Sequence, residues 1–469
     1  MGLYNTLARH VLAPSLDILR GTHTMRHLAE LEVSQRWPLE RIEQLQSERV
    51  RRLVEQAYAV VPYYRQLIDE RGITPADIRT ACELPLLPVL TKDIIRDKFD
   101  MLLARGFPEK QLLPGCTGGS TGTPLEFFST RESQMSMGLG RALRALEWAG
   151  TKPGDRTVYI SKERTRRSPS ARTAVRLRRM YSRTTFIDAA SLSDTTLPRV
   201  VRSISKARPR ALIGYASAVH IVASFIRETG CAAPAVGSII TEGEQLLGQQ
   251  RDMMRKVFGV EPFSRYSSFE SFDIAMECEA HEGMHVNAED LVVEVVDDDG
   301  RPLPEGREGR ILVTDLHAYG MPFIRYDTGD IGSFVSGTCA CGRHLPRLEL
   351  SLCKTGDVIY TPSGKRLSPL ALGASALAPL GIREFQFVQE ELDHIVIRVV
   401  AGARSGRDDV ESLGDAVAAT FRPLLGESVR IEVTTVESIE PTAAGKHLFI
   451  VSKIAARGAR ASQPQGERA

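Results

Sequence analysis

The segment from Cys116 to Pro124 reads Cys-Thr-Gly-Gly-Ser-Thr-Gly-Thr-Pro, with three glycines, three threonines and a serine. Glycine backbones reach positive φ and approach ligands closely, and clustered N–H groups and hydroxyls suit a phosphate. The segment lacks the Gly-Lys-Ser/Thr of a Walker loop and the Gly-x-Gly of a dinucleotide fingerprint. Taken alone, it is explained equally well as a polar turn. The candidate phosphate-binding residues are Thr117, Gly118, Gly119, Ser120, Thr121, Gly122 and Thr123.

Four further segments with chemically useful side chains follow this loop in order. They are Thr-Glu-Gly-Glu at 241–244, Arg-Tyr-Ser-Ser-Phe-Glu at 265–270, Arg-Tyr-Asp-Thr-Gly-Asp at 325–330 and Thr-Ala-Ala-Gly-Lys at 442–446. Together they offer carboxylates, aromatic rings and one late lysine. Each is a weak signal alone, because Thr-Gly-Asp is common in turns and a lysine after glycine is usually solvated.

The elements that must position these segments follow from hydrophobic periodicity. Residues 1–85 show helical spacing of apolar residues, and Thr91 is a plausible helix N-cap. From about 110 to 350, short β-rich runs (157–160, 211–214, 238–241, 291–296, 309–314) alternate with helical stretches (131–149, 195–207, 216–230, 245–259). That alternation predicts an α/β domain with much parallel sheet, and Asp297–Gly300 predicts a hairpin turn.

The character of the chain changes after about residue 352. Strands are predicted at 385–388, 394–400 and 429–433, with a helix at 408–424, which is typical of a small α+β domain. The predicted organisation is a helical region at 1–85, a large domain at 86–352, a small domain at 353–455 and a disordered tail at 456–469.

The composition is that of an ordinary globular protein, with 42% hydrophobic and 25% charged residues and a net charge of +2. No apolar run reaches bilayer length, the N-terminal residues lack a signal-peptide core, and seven irregularly spaced cysteines do not suggest a disulfide framework. We therefore expect a cytoplasmic protein without a transmembrane segment or a nucleic-acid partner. Nine Lys/Arg residues at 162–183 form either an anion-binding surface or a solvated face.

The order and spacing of the five segments resemble the acyl-adenylate-forming (AMP-binding) superfamily, the acyl-CoA synthetases and their relatives. The closer resemblance is to phenylacetate–CoA ligases and their capsule-biosynthesis-like cousins, and it extends over roughly residues 40–455. The Val-Pro-Tyr-Tyr at 61–64 and the Leu-Pro-Val-Leu-Thr-Lys at 87–92 also match that branch. The resemblance implies a large domain with mixed sheets and a small, mobile C-terminal domain.

The resemblance also implies a role for individual residues. The glycine-rich loop would embrace the β- and γ-phosphates of ATP, and Gly243 and Glu244 would line the adenine and α-phosphate region. Tyr266 would pack on adenine, Glu270 would coordinate Mg²⁺, and Asp330 would bind the ribose hydroxyls. Lys446 would swing in from the small domain and stabilise charge as the substrate carboxylate attacks the α-phosphate. The residues that carry these roles are Gly243, Glu244, Tyr266, Glu270, Asp330 and Lys446.

The sequence departs from the family pattern at three places. Thr123 stands where many relatives have lysine, and Phe269 stands where threonine is usual. At the domain junction, Cys353 replaces an arginine that precedes a hinge aspartate, and Lys354 supplies charge but no bidentate fork. The loss of the junction arginine predicts weaker nucleotide binding and a less efficient second half-reaction, the transfer of the acyl group.

A separate metal hypothesis rests on three cysteines and two histidines. Cys278, His281 and His285 lie in one stretch, and Cys339 and Cys341 follow about fifty residues later. Three cysteines and one histidine suit a closed tetrahedral zinc site, and Cys-x-Cys followed by Gly-Arg also occurs in zinc-bearing members of the resembled branch. His285, at the head of a predicted strand, is the better-fixed of the two histidines, and free cysteines in turns are the alternative.

The expected activity is ATP- and Mg²⁺-dependent activation of a carboxylic acid, of aromatic or modest size, as an acyl-AMP, with transfer to coenzyme A. One alternative is capture of the adenylate by an amine or an acyl carrier protein thiol. Another is a degenerate, non-catalytic nucleotide-binding member, because Cys353 replaces arginine. A homodimer is a further candidate assembly.

Overall fold

A computed structural model gives the fold of the chain. The residues it describes are 3–116, 125–161, 182–192, 195–352, 359–363, 366–367, 372, 377, 380, 382–401, 410–439 and 450–454. The fold is mixed α/β, with a helical N-terminal region, a large sheet and a separate C-terminal sheet, which confirms the predicted class. The predicted domain boundary at 352–353 and the tail at 456–469 border on or lie outside these residues and stay predictions.

The N-terminal region is helical, as predicted. Its helices are α1 (Leu3–Leu7), a π-helical turn (Ala8–Leu12), α2 (Ala13–Arg20), α3 (Thr24–Ser34), α4 (Leu39–Val60), α5 (Pro62–Glu70), α6 (Lys92–Asp97) and α7 (Phe99–Leu102), with 3₁₀ turns at Pro75–Asp77, Ala81–Leu86 and Glu109–Gln111. The apolar stripe of α4, which includes Val50, Leu53, Val54 and Ala57, is buried. Thr91 caps α6, since its Oγ1 accepts a hydrogen bond from the N–H of Ile94 at 3.3 Å.

A short hairpin and an 11-stranded sheet form the large sheet region. The hairpin is β1 (Leu112–Cys116) with β2 (Glu126–Thr130). The large sheet contains β3 (Thr157–Ser161), β4 (Thr184–Asp188), β5 (Ala211–Tyr215), β6 (Ser238–Glu242), β7 (Pro262–Ser268), β8 (Phe272–Glu277), β9 (Met284–Val286), β10 (Leu291–Val296), β11 (Gly309–Asp315), β12 (Tyr326–Val335) and β13 (Arg347–Leu352). Its strand order is β10-β11-β12-β13-β9-β8-β7-β6-β5-β3-β4.

The large sheet has a parallel half and an antiparallel half. Strands β4, β3, β5, β6 and β7 are parallel, and every later neighbour pair is antiparallel. The helices that connect or flank the parallel strands are α8 (Leu139–Trp148), preceded by a π-helical turn at Glu132–Gly138, α9 (Leu197–Ala207), α10 (Ala216–Thr229) and α11 (Gly248–Phe258), with a 3₁₀ turn at Ala189–Ser191. β5 and β6 are buried along their whole length, as expected of central parallel strands covered on both faces.

The predicted hairpin turn is also present. β10 pairs antiparallel with β11, and the N–H of Gly300 donates to the carbonyl of Asp297 at 3.1 Å. Arg325, which precedes β12, takes a left-handed backbone with φ of 56°.

The C-terminal sheet has the order β18-β17-β16-β19. It consists of β16 (Ile382–Glu391), β17 (His394–Ala401), β18 (Arg430–Thr435) and β19 (Ile450–Ser452), and α12 (Val410–Leu425) connects β17 to the parallel β18. A two-stranded ladder, β14 (Ile359–Tyr360) with β15 (Arg366–Leu367), precedes it. Among the helices in the described ranges, none combines the length and the apolar character needed to cross a bilayer.

Candidate nucleotide site and metal centre

Glu270 lies in the tight turn between β7 and β8, at the edge where the parallel strands end. The Tyr326 hydroxyl, at the start of β12, donates a hydrogen bond of 2.6 Å to Glu270 Oε1. Burial raises the pKa of Tyr326 well above its usual value, and the charges of Glu270 and Asp330 add to that effect. Tyr326 is therefore a permanent donor that fixes one oxygen of the Glu270 carboxylate.

Tyr266 on β7 and Asp330 on β12 also meet. The Tyr266 hydroxyl donates to Asp330 Oδ2 at 2.8 Å. Four sheet steps separate β7 from β12, and neighbouring strands lie about 4.8 Å apart, so a flat sheet would hold these residues about 19 Å apart. The antiparallel half must therefore bend back over the end of the parallel half, which brings two of the predicted nucleotide-binding segments together.

Gly243 and Glu244 follow β6 at the same edge. Gly243 has φ of 74°, a left-handed backbone that favours glycine. Glu244 Oε2 accepts a hydrogen bond of 2.8 Å from the backbone N–H of Ser217, in the first turn of α10. The Glu244 carboxylate thereby satisfies a helix N-terminal donor, and this contact fixes the turn where the adenine region was predicted.

The two arginines in these motifs are structural. Arg265 Nη1 contacts Glu242 Oε2 at 2.8 Å, and the same guanidinium pairs with Asp273. Glu242, a buried carboxylate that also accepts from the Tyr159 hydroxyl, has a pKa raised by burial. Buried charges of this kind require partners, so the Arg265 pairs hold β6, β7 and β8 in register.

Arg325 anchors the second motif in the same way. Its Nε contacts both carboxylate oxygens of Glu294 at 3.1 Å, and its Nη groups donate to the carbonyls of Leu87 at 2.8 Å and Gly300 at 2.6 Å. No role was predicted from the sequence for Tyr326 or for these arginines. Their presence inside the motifs was the only available signal.

Several predicted site residues lie outside the described residues. They are the loop residues Thr117 to Thr123, the lysine Lys446 and the junction residues Cys353 and Lys354. The described flanks of the loop are β1 and β2, which pair from Leu112–Thr130 to Cys116–Glu126. Residues 162–181 of the basic stretch 162–183 also lie outside the described residues.

The described residues fit a magnesium–nucleotide. Within the described ranges, the Glu270 carboxylate has Tyr326 as its hydrogen-bond donor on Oε1, which leaves Oε2 for a hard cation that prefers oxygen ligands. Asp330 Oδ2 faces Tyr266, and Asp330 is only partly buried, so its carboxylate is accessible to hydroxyl donors.

Cys278, His285, Cys339 and Cys341 form a compact second cluster. One ligand atom from each lies within 4.8 Å of the others. The Cys278 and Cys339 sulfurs are 3.6 Å apart, and Cys341 Sγ lies 3.3 Å from His285 Nε2. Two thiolates bound to one tetrahedral zinc at about 2.3 Å would lie about 3.8 Å apart, so this donor set fits zinc.

The surroundings of His285 favour metal binding. Its Nδ1 lies 3.0 Å from the Leu345 carbonyl, which can only accept, so Nδ1 carries the proton and Nε2 faces the sulfurs. Burial lowers the pKa of His285 to about 4 and raises that of Cys278 to about 12. Burial alone would raise the pKa of Cys341, but the hydrogen bonds from Arg343 outweigh burial, and the pKa of Cys341 is lowered.

His281, the other predicted zinc ligand, is not in this cluster. Its Nδ1 lies 2.9 Å from Glu277 Oε2, and its backbone has φ of 54° in the turn after β8. The turn carries the His281 ring to Glu277 and Phe263, whereas β9 holds the His285 ring among the sulfurs. The cluster therefore selects His285.

Comparisons with known proteins agree with this architecture. The C-terminal residues 359–453 match the family model described as the CapK C-terminal domain. A phenylacetate-coenzyme A ligase from Thermus thermophilus is 28% identical over 427 residues, which cover 86% of this chain and 87% of the relative. Protein CapK from Staphylococcus aureus is 21% identical over 411 residues, 84% of this chain and 85% of that protein.

The solved structure of a 2-hydroxyisobutyryl-CoA ligase, in complex with 2-HIB-AMP and CoA in the thioesterification state, has the same fold. The TM-score is 0.62 at 20% identity, with 91% of this chain and 94% of that chain covered. The chain is similar in sequence to phenylacetate-coenzyme A ligases and shares the fold of this acyl-CoA ligase. Its relatives carry the names phenylacetate-coenzyme A ligase and CapK, as the resemblance of the five sequence segments predicted.

Proposed function

We propose that this protein is an AMP-forming acid–thiol ligase, which activates a small carboxylic acid with ATP and passes the acyl group to coenzyme A. The proposal depends on two hydrogen bonds that join residues of different motifs, Tyr326 to Glu270 and Tyr266 to Asp330. The two motifs lie about sixty residues apart in the sequence. The relatives named above include acid–CoA ligases and cover most of the chain, which supports the same reaction class.

The proposed first step joins the acid to AMP. A carboxylate oxygen of the acid attacks the α-phosphorus of ATP, and the bond to pyrophosphate breaks. Asp330 would hold the ribose hydroxyls and Tyr266 would flank the adenine, while Glu270 would hold Mg²⁺. The ion, when bound, neutralises charge on the departing pyrophosphate. Lys446 would bring a positive charge to the oxygens of the reacting α-phosphate.

The proposed second step releases AMP. The coenzyme A sulfur attacks the acyl carbonyl carbon, the bond to the AMP oxygen breaks, and the thiol proton leaves to solvent. We also propose that the small domain rotates between the two steps, because one site can then serve both reactions. Thr117 to Thr123 would contact the pyrophosphate, and Cys278, His285, Cys339 and Cys341 would hold a structural zinc ion.

We further propose that the acid substrate is aromatic. The phenylacetate-coenzyme A ligase names among the relatives support an aromatic acid, whereas the structural neighbour is named for a small branched acid, 2-hydroxyisobutyrate. A cytoplasmic location, a homodimer and a carrier-protein partner stay predictions.

Acid-dependent pyrophosphate–ATP exchange tests the first step. The panel should include phenylacetate, benzoate, 2-hydroxyisobutyrate and acetate. We expect exchange with at least one acid, strongly reduced in Lys446→Ala. Lys453→Ala is the matched control, because Lys453 is a nearby lysine whose ammonium pairs with the Glu390 carboxylate, and it should retain exchange.

The outcomes separate the three functional hypotheses. Exchange followed by thioester formation on addition of coenzyme A supports the proposal. Exchange without thioester formation would favour an amine or carrier-thiol acceptor. No exchange with any acid would refute the ligase proposal and favour a non-catalytic nucleotide-binding protein.

A further inference from the structure

Arg141 is a fully buried arginine on α8 that reaches the turn carrying Glu270. Its Nη2 donates a hydrogen bond of 2.8 Å to the backbone carbonyl of Ser271, the residue that follows Glu270. The two residues are 130 positions apart in sequence. A charged donor to a backbone carbonyl in a dry site is one of the stronger hydrogen bonds available to a protein.

The other partners of Arg141 are more distant. Asp290 Oδ2 lies 3.8 Å from Nη1 and Asp315 Oδ2 lies 3.6 Å from Nη2. The two carboxylates balance the buried positive charge, but both lie beyond hydrogen-bond distance. Within the described ranges, Nε and Nη1 have no hydrogen-bond partner, so the one short contact of this guanidinium is directed at the turn.

The same turn is held at two further points. Phe272 takes a left-handed backbone with φ of 57° and packs against Gly138, where an added Cβ would lie 2.8 Å from Phe272 Cγ. The N–H of Ser271 donates to Ser268 Oγ at 2.9 Å. Gly138 and Arg141 are three residues apart in one helical segment and share a face, so this face sets the position of the turn.

We propose that Arg141 is a positioning residue that fixes the backbone of the Ser268–Phe272 turn, so that the Glu270 carboxylate is presented to the metal of a bound Mg²⁺–nucleotide. Tyr326 fixes the carboxylate from one side and Arg141 fixes the main chain from the other. This inference rests on the proposed function for the assignment of Mg²⁺ to Glu270. It adds a residue that lies in none of the five sequence motifs.

Arg144 is a matched control on the same helix. It is equally buried, and it lies three residues after Arg141. Its Nη1 donates to Glu289 Oε1 at 2.5 Å and to the Leu31 carbonyl at 3.2 Å, and its Nη2 donates to Asn287. It makes no hydrogen bond to the turn, so its replacement tests what the loss of a buried arginine does without disturbing Ser271.

The experiment compares Arg141→Lys, Arg141→Gln and Arg144→Lys with the parent chain. Thermal unfolding is measured without ligand, with ATP and EDTA, and with ATP under Mg²⁺ titration. We expect the Arg141 variants to need about tenfold more Mg²⁺ for half of the maximal nucleotide-dependent stabilisation, because the anchored turn loses its charged donor. Stabilisation by metal-free ATP should change little, since Asp330 and Tyr266 stay in place. Arg141→Lys should recover part of the loss seen in Arg141→Gln.

Arg144→Lys separates positioning from general destabilisation. It should lower the ligand-free midpoint while its Mg²⁺ requirement stays within about twofold of the parent, because it leaves the turn intact. An equal rise in Mg²⁺ requirement in Arg144→Lys, an unchanged requirement in both Arg141 variants, or no Mg²⁺-dependent stabilisation in the parent chain would each overturn the inference. If the parent shows Mg²⁺-dependent stabilisation but no acid-dependent exchange, the ligase proposal fails while the Arg141 comparison still stands.

Discussion

Removal of one proposed zinc ligand is the most direct test of the Cys/His cluster. His285→Ala takes away the nitrogen that faces Cys341 Sγ at 3.3 Å, and Cys339→Ser takes away a buried thiol 3.6 Å from Cys278 Sγ. His281→Ala is the matched control, because His281 lies four residues away and contacts Glu277 instead. The two ligand variants should lose the metal, and the control should retain it.

The size of the expected destabilisation follows from the length of the chain loop that a bound metal would close. Cys278 and Cys339 are 61 residues apart, and the chain-entropy relation for a cross-link of that length gives about 4 kcal/mol of stabilisation. A large domain changes its midpoint by about 2 °C per kcal/mol. We therefore expect His285→Ala and Cys339→Ser to lower the midpoint of thermal unfolding by about 8 °C.

The assay combines elemental analysis with thermal unfolding on protein purified without chelators. The parent and His281→Ala should each hold close to one equivalent of zinc, and chelator treatment of the parent should reproduce the midpoint of the ligand variants. Less than about a tenth of an equivalent of zinc in the parent would refute the metal assignment. Loss of zinc in His281→Ala to the same extent as in His285→Ala would refute the ligand choice.

Three further predictions concern buried polar groups. Tyr326→Phe removes the donor to Glu270 and should raise the Mg²⁺ requirement of pyrophosphate exchange about tenfold. An unchanged Mg²⁺ requirement would contradict a role of Tyr326 in positioning the Glu270 carboxylate. Burial alone would raise the pKa of Asp290, but the contacts with His27 and His317 outweigh burial and hold that pKa well below its usual value. The Asp290 carboxylate should therefore stabilise the fold above about pH 4, and this stability should be lost as the pH falls further. Asp290→Asn should be less stable at pH 7 in urea unfolding and should show a shallower acid loss; an acid slope like that of the parent would contradict this. Arg325→Met leaves Glu294 buried without its partner and should cost about 3–5 kcal/mol in urea unfolding, and adding Glu294→Leu should restore part of that stability.

The local elements of this fold could be predicted because their signals are local. The runs 157–160, 211–214 and 238–241 each became a parallel strand within one residue of the predicted bounds. Continuous apolar runs between helical stretches favour such strands. The hairpin turn after Val296 and the N-cap at Thr91 are set by a few neighbouring residues, and both are confirmed.

The contacts that build the site could not be predicted, because they join distant segments. No periodicity indicates that Tyr266 meets Asp330 across a bent sheet, 64 residues later. The sequence likewise could not choose between His281 and His285, since both lie near Cys278. The choice depends on the left-handed backbone of His281 and on the pairing of β9 with β13. Arg141 appears in the sequence as an ordinary arginine of an amphipathic helix.

The three-residue strand β9 is the narrowest link in the large sheet. It shares two residue pairs with β13 and three with β8, so few backbone hydrogen bonds join β7 and β8 on one side of it to β13 and β12 on the other. All four residues of the Cys/His cluster lie beside this link. A metal bound there would cross-link the two sides of this strand, and its loss would let β7 with Tyr266 and β12 with Asp330 move apart. Although it shares no residue with the proposed nucleotide site, this cluster would then set how firmly the ribose is held.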